Sequence, residues 1–179
     1  PNNKKFAFTI FDDTDRSNLE DSRLIYNCLD DLGFKTTRSV WINKSNSKIV
    51  IFTGGEPLMH DLTQVVNQIS NAGYQVHLET SGAYPLSANW DWITLSPKKI
   101  KPPLDMIYKF ASELKVVVYN QNDFKWALDQ EKKVSDSCLL YLQPEWSKLK
   151  IMKPKIIDFI NSYPRWKLSL QMHKYLHIQ

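Results

Sequence analysis

Apolar positions along this chain come in short runs that switch between a period of two and a period near 3.6, so extended and helical segments alternate. Residues 6–11 read as a strand. Residues 17–32 read as a helix, because Ser17 stands at the N-cap, Glu20 three positions on completes a capping box, and Gly33 follows the last periodic position. Residues 35–41 form a second extended run. Residues 49–52 are a nearly continuous apolar strand that runs into Thr53, Gly54, Gly55, Glu56 and Pro57, and an amphipathic helix over about residues 61–71 follows, closed by Gly73. Further strands are expected at 75–79, 92–95, 113–118, 138–143 and 167–170, and further helices at 105–111, 124–134 and 154–163.

Repeated strand, helix, strand alternation means an α/β fold with a mostly parallel sheet and crossover helices. Right-handed crossovers roll such a sheet toward a barrel whose ligand site lies at the carboxyl ends of the strands. A closed eight-fold barrel takes about 250 residues. For 179 residues the expectation is an open, partial (β/α) barrel. The polar stretch at 43–48 marks a seam, which sets an atypical N-terminal β-α-β segment, residues 1–43, against a core of residues 44–179. The two are expected to form one continuous globular domain, with Asp12 ending a strand of the same sheet at the same rim as the other strand ends.

At 42% hydrophobic and 23% charged residues the chain can bury a core, which excludes a disordered chain. The longest apolar runs, such as 114–119 with Lys115 inside it, are too short to cross a bilayer, and no signal-peptide pattern precedes them. No membrane role and a cytoplasmic location are expected. The formal net charge of +4 arises beyond residue 43 and suits anionic small molecules, but the lysines are scattered, so no nucleic-acid partner is expected. Cys28 and Cys138 have no CxxC spacing, which argues against a zinc site or a disulfide framework and for two reduced, buried thiols. The chain opens on Pro1 without an initiator methionine, as a fragment or trimmed chain would.

Candidate chemistry gathers at the strand ends. Consecutive glycines at 54 and 55 let the backbone turn closely around a ligand, and a carboxylate beside them suits an ammonium group. Later strand ends carry Glu79, Thr80, Ser81 and Gly82, then Ser96, Pro97 and Lys98, then Gln143 and Pro144, then a stretch containing His173. This is the layout of a site assembled from several βα loops. Lys115 is either a site lysine or a snorkelling side chain. His173 and His177 are four apart but follow a predicted strand rather than lie on a helix, so they are not read as a metal pair.

The ordered series from Gly54-Gly55-Glu56-Pro57 through Glu79-Thr80-Ser81-Gly82, Ser96-Pro97-Lys98, Gln143-Pro144 and His173-Lys174 resembles the 7-carboxy-7-deazaguanine synthases of the radical S-adenosylmethionine (SAM) superfamily over residues 45–179. The resemblance implies that Gly54, Gly55, Glu56, Ser96, Pro97, Lys98, Gln143 and Pro144 contact SAM. Thr53, His173 and the C-terminal carboxylate of Gln179 would touch a pterin substrate. The implied reaction is the Mg²⁺-assisted radical contraction of 6-carboxy-5,6,7,8-tetrahydropterin to 7-carboxy-7-deazaguanine on the way to queuosine, with a [4Fe-4S] cluster, a flavodoxin-type reductant and a homodimer. Three cysteines hold that cluster in the family. This chain lacks that triad, the family's Leu-Gln-Gly-Glu-Gly strand end with its nearby arginine, and the Mg²⁺ ligand, and has Met172 where threonine is usual. The expectation is therefore a family member that is inactive as it stands. The alternative is a non-catalytic relic or chimera with residual SAM binding.

Residues 6–41 resemble the opening of a polysaccharide deacetylase-like domain, in which paired aspartates, here Asp12 and Asp13, supply a general base and a metal ligand. The His-x-x-x-His motif that this chemistry needs does not follow them. A deacetylase-like hydrolase is the third reading, and a polar turn is the plain account of the pair.

Overall fold

The computed structural model describes residues 8–12 by their backbone and residues 49–175, with Met172 and His173 lacking side-chain description. The expected helix at 17–32 with Gly33, the run at 35–41, the seam, and Asp13, Cys28, His177 and Gln179 lie outside the described residues. The chain divides between Ile93 and Thr94 into two compact units.

In the first unit, β1 (Phe8–Asp12) pairs antiparallel with β2 (Ile49–Gly54), and β2 pairs parallel with β3 (Gln75–Thr80). Burial alternates along β2 and β3, with Val50, Phe52, Val76 and Leu78 buried and the intervening residues half-open or exposed. The apolar run at 49–52 is thus a strand in which Val50 and Phe52 are buried while Ile49 and Ile51 are half-open. The helix α1 (Thr63–Asn71) buries Val65, Val66 and Ile69 at the i, i+1, i+4 spacing of an amphipathic stripe. Asp61 starts it: its Oδ1 accepts from the Thr63 N–H at 3.0 Å and the Thr63 hydroxyl at 2.6 Å. Gly73, at φ 86°, takes the left-handed conformation that closes it.

One expectation fails here. Asp12 pairs with Val50 at the start of β2, whereas Phe8 pairs with Gly54 at its end. Because β1 runs antiparallel, Asp12 lies at the opposite edge from the glycine turn, not at the same rim.

In the second unit, strands β4 (Trp92–Leu95, its last two residues in this unit), β5 (Glu113–Val118), β6 (Leu139–Pro144) and β7 (Trp166–Leu168) pair parallel in chain order, leaving the sheet open. Helices α2 (Asn122–Glu131) and α3 (Leu149–Ser162) cross over between them. The sequence places α3 at 154–163, but it begins five residues earlier. Its buried stripe starts at Met152 and continues through Ile156, so packing carries the helix through Pro154, whose missing N–H falls on an exposed side. The expected helix at 105–111 is a short 3-10 helix, Ile107–Phe110, held by i+3 bonds such as Ile107 N–H to Leu104 C=O at 3.0 Å. The last expected strand, 167–170, is shorter and shifted to Trp166–Leu168. It gives way to a single helical turn, α4 (Met172–Tyr175), so His173 stands on helix rather than after strand.

Large apolar side chains fill this unit: Leu114, Val116, Val118, Leu142 and Ile156 have no exposed surface. Each such side chain contributes about 1.5–3 kcal/mol relative to leaving it in water. No helix among the described residues is long and apolar enough to cross a membrane.

Candidate functional site

In the first unit the glycine turn leaves β2 with Gly54 at φ 92°, a left-handed backbone that a branched side chain would strain, and Gly54 and Gly55 are both exposed. Thr53, half-buried on β2, donates its hydroxyl to Glu79 Oε2 at 3.3 Å on the neighbouring strand. Glu79 therefore joins the implied substrate-facing threonine, although the sequence marked it only as part of a strand-end motif.

The Glu56 carboxylate is engaged on both oxygens. Oε1 accepts from the Leu58 N–H at 3.2 Å and from the Thr80 hydroxyl at 2.5 Å, and Oε2 accepts from the Ser81 N–H at 2.8 Å and from the Ser81 hydroxyl. Thr80 Oγ1 in turn accepts from the Gly82 N–H at 2.9 Å. A carboxylate has about four lone-pair positions, so these four donors occupy its capacity. The contact to Leu58 also caps the 3-10 turn Pro57–Met59, an element the sequence reading did not contain.

In the second unit Ser96 is half-buried just past β4, Pro97 is buried and Lys98 is exposed, with the Lys98 ammonium 3.1 Å from the Ser96 hydroxyl. Gln143 is half-buried and Pro144 buried at the end of β6. Sequence reasoning missed what ties the end of β5 to the loop after β4. Asp123, only 4% exposed, accepts on Oδ2 from the Tyr119 N–H at 2.7 Å and the Asn120 N–H at 2.9 Å, and pairs through Oδ1 with the Lys99 ammonium. Burial alone would raise this carboxyl. The Lys99 ammonium and the two N–H donors outweigh it and hold Asp123 below the ordinary carboxylate range. The available signal was an acidic residue in the first turn of a helix directly after a strand end.

Lys115, on the face of β5 that also carries Glu113 and Val117, is half-buried. Cys138 is 4% exposed, as its apolar reading required, and burial, followed by the charge of Glu113, pushes its thiol up to about 11. A group held as a protonated thiol is a poor iron ligand. With Cys28 the only other cysteine in the chain, these residues do not supply the three thiolates of a [4Fe-4S] site. Gly54 and Gly55, by contrast, are exposed, and backbone carbonyls are groups of the kind that accept from an ammonium.

No protein-family model matches the chain. It is 50% identical over 130 residues to the 7-carboxy-7-deazaguanine synthase of Synechocystis sp., covering 73% of this chain and 62% of that protein. It is 48% identical over 132 residues to the synthase of Flavobacterium psychrophilum, covering 74% and 63%. To the synthase of Prochlorococcus marinus it is 35% identical over 153 residues, covering 73% and 68%. The chain thus spans a little under two thirds of the length of the first two relatives. The crystal structure of QueE from Escherichia coli superposes with a TM-score of 0.65 over 84% of this chain and 63% of that one, and at 24% identity that likeness speaks for the fold. None of these relatives is a polysaccharide deacetylase, so the deacetylase-like reading of residues 6–41 gains no support. Identity at this level over about three quarters of the sequence places the chain in the 7-carboxy-7-deazaguanine synthase family.

Proposed function

We propose that this chain binds SAM at its strand-end loops and descends from enzymes that contract 6-carboxy-5,6,7,8-tetrahydropterin to 7-carboxy-7-deazaguanine. The observation that carries the reading is the exposed, left-handed Gly54 turn beside Gly55, at the position where the family resemblance calls for a SAM contact. Gly54 and Gly55 offer peptide groups to the amino acid end. Ser96, Pro97, Lys98, Gln143 and Pro144 are assigned to the rest of SAM, and Thr53, His173 and Gln179 to the pterin. SAM supplies, once reductively cleaved, the radical that takes hydrogen from the pterin. This chain's own part is to orient the two ligands and keep water away from them.

The cysteine content supports binding without turnover. Two cysteines, one of them buried as a protonated thiol, do not hold a cluster, so no electron-transfer step is assigned to this chain. Mg²⁺, a flavodoxin-type reductant, a homodimer and a cytoplasmic location are carried from the family as parts of the same proposal. Reconstituted anaerobically with iron and sulfide, the chain is expected to stay colourless. About four irons per chain in a brown preparation would refute the binding-only reading.

Calorimetry or ligand-observed NMR tests the SAM site directly. Without two bonds to iron the affinity is expected on the order of 0.1–1 mM, and Gly55→Val should weaken it further by placing a branched side chain in the ligand's space. No binding at millimolar SAM would overturn the reading.

A further inference from the structure

The family resemblance casts Glu56 as a residue that touches SAM, yet its carboxylate is filled from within the protein. Four donors converge on two oxygens: the Leu58 N–H and Thr80 hydroxyl on one, and the Ser81 N–H and hydroxyl on the other. Leu58 follows the glycine turn on the β2 side, whereas Thr80 and Ser81 belong to the β3 end. Glu56 therefore ties these two loops to each other, beside the Thr53 to Glu79 bond between the same strands. The tie extends one step, since Thr80 Oγ1 takes the Gly82 N–H while its own proton goes to Glu56. Thr80 is only 4% exposed, so it reaches a ligand solely through what it positions.

We infer that Glu56 is a positioning residue: it fixes the Gly54-Gly55 turn and the Thr80-Ser81-Gly82 turn as one rigid cradle, and presents their backbone to SAM instead of binding the ammonium group with its own carboxylate. The inference rests on the proposal that this rim takes SAM. An additional ammonium partner would have to displace one of the four donors and leave it unsatisfied beside a buried loop, which is costly. A cradle held by internal bonds needs no such rearrangement when the ligand arrives.

The chain allows a test that separates a held loop from a direct contact. Amide exchange by NMR on the unliganded protein reads the cradle itself, and SAM titration reads its consequence. In Glu56→Gln the amide nitrogen cannot accept, so Ser81 and Gly82 amides should exchange about tenfold faster than in the unaltered chain, and the SAM dissociation constant should rise about tenfold. Thr80→Val keeps shape but removes the hydroxyl, and should free the Gly82 amide and weaken SAM although the residue is buried. Thr80→Ser restores the hydroxyl and should return both readouts to the unaltered values, which a general packing defect would not do.

Unchanged exchange at Ser81 and Gly82 in Glu56→Gln would overturn the inference. So would weakened SAM binding in Glu56→Gln alongside normal binding in Thr80→Val, since that pattern belongs to a direct carboxylate contact. If the unaltered chain binds no SAM while the exchange pattern holds, the functional reading fails and the cradle stands.

Discussion

Each unit of this protein holds a strand-end loop with one carboxylate, but the two carboxylates are held differently. Glu56 is satisfied entirely by neutral donors, two backbone N–H groups and two hydroxyls. Asp123 is satisfied by two backbone N–H groups and an ammonium, that of Lys99, which is itself 49% exposed and lies 5.3 Å from the centre of the Trp126 ring. The contrast teaches where rigidity comes from. Neutral donors fixed on the backbone leave nothing to reorganise or to be screened, whereas a lysine on a flexible stem brings charge at the expense of side-chain entropy. The Glu56 arrangement suits a backbone cradle that must keep its shape. The Asp123 arrangement suits a loop whose neighbour, Lys98, carries an exposed charge.

Removing the two carboxylates should give the largest effect and should rank them. Glu56→Ala strands four donors, two of them backbone N–H groups in half-buried turns, and is expected to cost about 2–4 kcal/mol in urea unfolding. Asp123→Ala strands two N–H groups and releases Lys99 to water, and should cost less, about 1–3 kcal/mol. Equal losses, or a larger one at Asp123, would mean that the ammonium matters more than the number of stranded donors.

How much of this was legible from the residues depends on distance along the chain. The strands and the amphipathic helix at Thr63–Asn71 announce themselves by local period, and the glycine turn by its two consecutive glycines, so these emerge from the sequence close to their observed bounds. Glu56 also stood out in the sequence, as the carboxylate of the glycine motif. Its bonds were not legible, because Thr80 and Ser81 lie 24 and 25 residues away and become partners only when β2 and β3 pair in register. The Lys99 to Asp123 pair, 24 residues apart, escaped for the same reason. The direction of β1 escaped as well: alternation predicts a strand but says nothing of which way it runs, and the antiparallel pairing put Asp12 at the wrong edge for a shared rim. The early start of α3 at Leu149 shows packing overriding a local rule, since the buried Met152 precedes the proline that seemed to open the helix.

Acid should affect the Asp123 loop in a defined window. Its folded carboxyl lies below the ordinary range, and the unfolded value is about 3.9. A depressed carboxyl contributes stability that is fully present above the unfolded value and is lost as pH falls through the folded one. The stability gap between the unaltered chain and Asp123→Asn should therefore stay constant from about pH 5 upward and narrow below about pH 4. Using the difference between the two proteins cancels other groups that titrate on the way, including His77, whose burial lowers it despite the nearby Asp91. A gap that narrows between pH 5 and 7 would show that Asp123 is not held below the ordinary range.

The smallest effect is the sharpest test of the contrast, because it isolates the charge. Lys99→Met keeps an aliphatic stem and removes the ammonium from both Asp123 and the Trp126 ring, leaving the Tyr119 and Asn120 N–H groups on Asp123. With Lys99 half-exposed, solvent screens the pair, so the loss should stay below about 1 kcal/mol. Raising the salt to about 1 M shortens the screening length to about 3 Å, and the gap between Lys99→Met and the unaltered chain should shrink accordingly. The gap for Glu56→Ala should not, since no cation faces that carboxylate among the bonds that hold it. Urea unfolding of the two variants at low and high salt makes the comparison in one experiment. If Lys99→Met costs more than about 2 kcal/mol and salt leaves that cost untouched, the ammonium behaves as a buried partner, and the two loops are held by the same physics after all.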